Sequence, residues 1–211
     1  MLTRPSVVSC RLLGSRITSL KSPSCSAFQT RSTKALPLST RHFSTSKMSA
    51  FPTPSSDPPK KEMVYFPDMT TALPSKSAEF RRVLWTGLYS QLVLMTVPVG
   101  GDIGEEIHTV DQILTFTSGT GLAQIAGKEQ NIKAGDMVIV PAGTKHQFLN
   151  TGATPLILYT VYSPAEHKPT TVHQTKEQGD KEEEDGIDVA PEWSRRSKKQ
   201  NEDDGLVKGE E

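Results

Sequence analysis

The sequence predicts an all-β fold, an antiparallel sandwich or barrel, over residues 63–173 of a 211-residue chain. Short apolar runs recur through this stretch, each stopped by glycine or proline, which is the rhythm of strands joined by tight turns. No run in this core keeps helical periodicity over ten residues, so the apolar side chains alternate rather than wind. The flanks differ in composition and carry little apolar material, which leaves one domain of ordinary size.

The elements follow in order. Residues 91–99 alternate and end at Gly100-Gly101, and residues 113–117 stop at Ser118-Gly119-Thr120-Gly121. Residues 122–126 stop at Gly127, and 137–140 stop at Pro141-Ala142-Gly143. Residues 156–162 follow the turn-forming Thr151-Gly152-Ala153-Thr154-Pro155. Gly143 supplies a positive φ without steric cost, and Pro141 fixes φ at the turn entry. Gly100, Gly119 and Gly135 read as structural for the same reason. Asn150 starts the turn before Gly152 and is expected to bond the backbone there. Phe116, Tyr159, Tyr162 and Trp85 are expected in the core or at an interface.

Residues 135–150 read GDMVIVPAGTKHQFLN. Gly135, Pro141, Gly143, His146 and Asn150 stand at the spacing of the second conserved motif of the cupin superfamily, which the segment resembles. A modified first motif lies upstream. Gly100 is followed after five residues by Glu106-Ile107-His108, then by Gln112 and by Gly119. The spacing of the family pattern is kept, with Glu106 in place of its first His and Gln112 in place of its Glu. The resemblance covers 63–173 and implies a single cupin jelly-roll barrel, commonly a homodimer. The stretches around 80–108 and 163–176 resemble small single-domain cupins of the type-2 group.

Side chains alternate across a strand. Glu106 and His108 therefore share a face, Gln112 shares it if the strand is unbroken, and His146, Phe148 and Asn150 share another. The resemblance implies that Glu106, His108, Gln112 and His146 converge inside the barrel. The usual metal-binding set of three His and one Glu carries −1, and so do two His, one Glu and one Gln here. Such a set can hold one divalent metal ion, Fe, Mn, Ni, Zn or Cu, and it leaves room for substrate or water. Its affinity is expected to fade as pH drops through the His range near about 6.5. The other reading makes His108 and His146 hydrogen-bonded pocket residues, or a general base. Glu105 has the wrong parity to join Glu106 and reads as a rim charge, and Asp111 as a turn residue. Two functions stay open: a metal-binding cupin that binds or transforms a small organic molecule, and a metal-free module that binds or senses one. A sugar-nucleotide epimerase with a His base ranks behind both, lacking an Asp–His dyad and an Arg cluster. Fold alone does not choose a reaction.

The 24 basic and 24 acidic residues cancel, but the balance comes from two opposed tails. Residues 1–47 hold eight Lys or Arg, eleven Ser and no acid, whereas thirteen acids lie from Glu177 onward. No nucleic-acid or membrane partner follows from a neutral total. The basic, Ser-rich segment has the composition of a mitochondrial presequence directed to the matrix; a start at Met48 would give a cytosolic form. Residues 48–62 are Pro/Ser-rich and read as a linker. Residues 174–211 read as a charged disordered tail, in which Arg195, Arg196, Lys198 and Lys199 form a solvated basic cluster. Both cysteines, Cys10 and Cys25, fall in the presequence. The mature chain then has no thiolate, and any metal must be held by N and O donors.

A fusion of residues 1–60 to a fluorescent reporter is expected to enter mitochondria. A purely cytosolic signal would contradict the targeting assignment.

Overall fold

The computed structural model describes residues 54–70 and 79–209, all within the compact unit Thr45–Glu211. The expected presequence lies outside the described residues, as do Cys10 and Cys25; the linker is described from residue 54 and forms neither strand nor helix. The chain runs β1 (Arg81–Thr86), β2 (Gln91–Val97), β3 (Asp111–Ser118), β4 (Thr120–Ile125), β5 (Lys128–Lys133), β6 (Met137–Val140), β7 (His146–Asn150), β8 (Leu156–Ser163) and β9 (Val172–His173). Two antiparallel sheets form, one ordered β6-β3-β8-β2-β1-β9 and one ordered β5-β4-β7. They pack face to face over Val93, Leu114, Phe116, Phe148, Leu158 and Tyr162. Each side chain buried in this way stabilises the fold by about 1.5–3 kcal/mol. The all-β jelly roll expected from the sequence is the fold observed.

Alternation decides what faces inward. In β3 Gln112, Leu114 and Phe116 are buried, and in β7 His146, Phe148 and Asn150 are. Of the aromatic candidates, Phe116 and Tyr162 are buried, while Trp85 and Tyr159 are half-buried. Asn150 behaves as its position in the turn predicts. Its Nδ2 donates to the carbonyls of Val97, Pro98 and Thr154, and its Oδ1 accepts from Gly152 N, all at 3.0 Å. Gly143 has φ of 75°, and Asp111 ties this turn to β3 by accepting from Ala142 N at 2.9 Å. Strand β5 (KEQNIK) has no apolar pattern because only Ile132 is buried; its pairing with β4 holds it in place. A smaller cluster of Leu84, Leu94 and Ile157 lies apart from the main core, packed against Phe66 and Met69. Residues before β1 thus belong to the domain.

The expected disorder of 174–211 does not describe residues 174–209. They form α1 (Lys176–Glu184), a 3-10 turn over Glu192–Ser194 and α2 (Lys198–Asp203). Thr175 caps α1 and a Ser197–Gln200 capping box starts α2, which satisfies amides that short helices otherwise leave open. Composition misleads here because the docking is polar. Arg81 on β1 is only 1% exposed and pairs with Glu183 of α1. Asp188 is buried and accepts from His167 Nδ1 at 2.9 Å, from Lys168 N at 2.8 Å and from the Thr171 hydroxyl. Burial works against its charge, but these donors outweigh that and hold the Asp188 pKa at about 2. The His173 ring bonds Glu182 at 3.2 Å, and Trp193 Nε1 donates to Ser56 O at 3.2 Å.

Removing the Asp188 carboxylate leaves buried donors without an acceptor. Asp188→Ala is expected to cost about 3 kcal/mol of stability, read as a lower midpoint in urea unfolding. An unchanged midpoint would mean that the segment does not dock as described.

Candidate metal centre

The backbone brings the two motifs together. Asn150 N donates to Gly101 O at 2.9 Å, and Ile103 N donates to Phe148 O at 3.0 Å. Further along, Glu106 N donates to His146 O at 2.9 Å and His146 N returns a bond to Glu106 O at 3.0 Å. Between the bridges Asp102↔Leu149 and Glu106↔His146 the first segment gains one residue, and Gly104 lies there with φ of 111°. This is a β-bulge, which re-aims side chains. Beyond it Glu105 points to the surface and pairs with Lys145 at 2.7 Å, both more than half exposed, whereas Glu106 turns inward. Gly143 N then donates to His108 O at 2.8 Å.

Glu106, His108 and His146 each offer one ligand atom, and these atoms lie within 4.8 Å of one another. His108 Nε2 meets Glu106 Oε2 at 2.9 Å, and its Nδ1 meets Glu166 Oε1 at 3.2 Å. The His146 ring stands 5.2 Å from that of His108 between centroids. Its Nδ1 lies 2.8 Å from Thr144 O. A carbonyl only accepts, so Nδ1 carries the proton and Nε2 keeps a free lone pair. That Nε2 is buried without a partner. Gln112 donates from Nε2 to the Tyr162 hydroxyl at 3.0 Å, and its Oε1 is likewise buried without a partner. Tyr162 packs edge-on to His108 at 5.4 Å, so Gln112 adjoins the group through Tyr162.

These donors fit a divalent ion. Two acceptor atoms, His146 Nε2 and Gln112 Oε1, are desolvated with nothing to bind, a situation that costs about 1–3 kcal/mol each. Burial and the neighbouring His108 keep the His146 pKa low, against the Thr144 hydrogen bond, so its lone pair is available. Burial works against the charge of Glu106, but the bond from His108 and the charges of His108 and Arg81 hold its pKa down. Burial also works against protonation of His108, yet Glu106 and Glu166 outweigh it and lift its pKa to about 9. The range near 6.5 expected from the sequence is therefore too low for this histidine. Sequence reasoning also missed Glu166. It lies past β8 and outside both motifs, next to His167, and no spacing marked it. A carboxylate on the far nitrogen of a ligating His orients the ring and raises its basicity.

A second group, His167, Glu183 and Asp188, also comes within 4.8 Å. There Arg81 pairs with Glu183 and stands 4.0 Å from Asp188, so a guanidinium already occupies the cation's role. Between the two groups opens a pocket of about 520 Å³. Its lining includes Glu106, His108 and Glu166, together with Asp188, Val189, Ala190 and Arg195 of the C-terminal segment.

Residues 93–162 match the family model described as the cupin domain. The chain is 43% identical over 104 residues to the uncharacterized protein YrkC of Bacillus subtilis, covering 46% of this chain and 56% of that one. It is 41% identical over 100 residues to an uncharacterized mimivirus protein, covering 44% and 62%. The matched region thus spans little more than half the length of these two relatives. A crystal structure of a Bacillus halodurans protein superposes with a TM-score of 0.53 at 38% identity, covering 58% of this chain and 96% of that chain. Among the described residues no helix is long and apolar enough to cross a membrane.

The shifted His108 pKa gives a pH dependence. A raised pKa stabilises the metal-free fold fully below about 6.5, and this is lost as pH rises through about 9. A metal needs the same nitrogen deprotonated, so its affinity is expected to rise over that window. Binding at about pH 7.5 should release about one proton, measured by calorimetry in buffers of different ionisation enthalpy. Binding without proton release would contradict the assignment of His108.

Proposed function

The chain belongs to the cupin superfamily, and on that footing we propose that it is a metal-binding cupin acting on a small organic molecule in the pocket beside Glu106 and His108. The observation that carries this reading is the pair of buried acceptors without partners, His146 Nε2 and Gln112 Oε1, beside a carboxylate and a second imidazole. Glu106, His108 and His146 would hold one divalent ion, Fe, Mn, Ni, Zn or Cu, with the Gln112 amide oxygen as a weak fourth donor. When bound, such an ion polarises a substrate oxygen or lowers the pKa of a bound water.

The remaining chemistry belongs to the chain. Glu166 holds the far nitrogen of His108 and keeps the ring in one orientation. The Thr144 carbonyl fixes the His146 tautomer. Val110, Ala165, Val189 and Ala190 contribute apolar lining to the pocket. The same reading includes a homodimer and, from the acid-free composition of residues 1–47, the mitochondrial matrix.

A metal-free binding module is the second reading. What favours it is His108, whose two nitrogens are both engaged by carboxylates, Glu166 and Glu106.

Metal analysis of the purified full chain, reconstituted with each of the five metals, separates the two. About one ion per subunit is expected. His108→Ala or His146→Ala should weaken binding at least about tenfold, and Gln112→Ala less, because a neutral amide is a poorer donor than an imidazole or carboxylate. Stoichiometry near zero with every metal would make the metal-free module the better account.

A further inference from the structure

We propose that the outer face of the six-stranded sheet is where a second copy of this chain docks, sheet face against sheet face. This rests on the homodimer included in the reading above and gives it a surface.

Strand register assembles that face. Gln112, Leu114 and Phe116 point into the core from β3, so Ile113 and Thr115 point outward. The same alternation turns Met137 and Ile139 of β6 outward. Trp85, Leu92, Val161, Ile113 and Ile139 stand opposite one another across β1, β2, β8, β3 and β6. The next row holds Leu94, Tyr159, Thr115 and Met137. Neither row contains a charge, and Thr115 alone is neither aliphatic nor aromatic. An antiparallel sheet face left to water carries polar residues at such positions. The small sheet does so: Gln147, Gln124 and Glu129 form one outer row, and the next, Leu149, Leu122 and Asn131, ends on an amide. The large sheet departs from this pattern.

Part of the apolar face is already covered by the chain itself. Phe66 and Met69, ahead of β1, pack against Leu84, Leu94 and Ile157. The cover does not extend to β6, which lies at one end of the sheet order and leaves Met137 and Ile139 each 61% exposed. Tyr65, beside Phe66 in the chain, is 73% exposed and adds apolar area at the margin.

Charge and size select the occupant. A partner recognised by its charge finds no counter-charge in either row. A copy related by a two-fold axis lays an uncharged face on itself and brings no like charges of these rows together. Five strands about 4.8 Å apart make the face about 20 Å wide, and strands as long as β3 and β8 make it about 25 Å long. With its margin, that is on the scale of the roughly 800 Å² that each partner buries in a stable interface.

Sedimentation velocity of the full chain over a micromolar concentration series tests the proposal. The wild type is expected to dimerise. Ile139→Glu and, separately, Met137→Glu should raise the dimer dissociation constant about tenfold or more, because each places two carboxylates in an apolar interface. Gln147→Glu, on the outer face of the small sheet, should leave it unchanged, and circular dichroism should show all three variants folded. Ile139→Gln, expected to weaken the dimer less, covers the case in which a carboxylate disturbs β6. A dimer equally tight in the β6 variants would overturn this placement of the interface and leave the homodimer standing. A wild type that stays monomeric throughout would overturn both. Flotation of the wild type with phosphatidylcholine vesicles, lost in Ile139→Glu, would assign the face to a lipid surface and overturn the proposal.

Discussion

The amide of Glu106 donates to the carbonyl of His146 at 2.9 Å, and the amide of His146 donates back at 3.0 Å. This reciprocal pair joins two motifs that are distant in sequence and sets the face on which their side chains meet. A strand side chain changes face with every residue, so a slip of one would send Glu106 to the surface. The bulge at Gly104 supplies the one-residue correction, leaving Glu105 on Lys145 and Glu106 beside His108. Only then can a carboxylate stand where the family pattern has an imidazole.

The same constraint extends outward through charge. Arg81, buried on β1, lies 3.9 Å from Glu106 and pairs with Glu183 of the C-terminal segment. Asp188 of that segment stands 4.0 Å from Arg81 and bonds His167 just past β8. Buried ions are strongly destabilising when one partner is lost, so the acidic segment is held where the buried Arg81 is. Its position then makes one wall of the pocket. The barrel, the proposed ligand set, α1 and Asp188 are linked through one polar network.

This network explains what the sequence could and could not reveal. Strands with apolar alternation and glycine turns were legible, because hydrophobic burial and backbone geometry leave local marks. The convergence of Glu106, His108 and His146 was implied by the resemblance to the two cupin motifs, and the inward faces of β3 and β7 by parity. Strand β5 escaped notice because its one buried side chain, Ile132, makes no pattern. Glu166 escaped because its role depends on His108, distant in the chain. The C-terminal segment misled for a related reason. A composition argument counts apolar residues, but this segment docks through carboxylates on a buried arginine and buried histidines, whose positions no local pattern records.

The central claim is that Glu106, His108 and His146 hold one metal ion. Anomalous diffraction from crystals of the metal-loaded full chain, collected at the absorption edge of the metal, tests it most directly. The account predicts a single strong peak bounded by the Glu106 carboxylate, an imidazole nitrogen of His108 and His146 Nε2. A peak confined to His167, Glu183 and Asp188, or no peak inside the barrel, would contradict it.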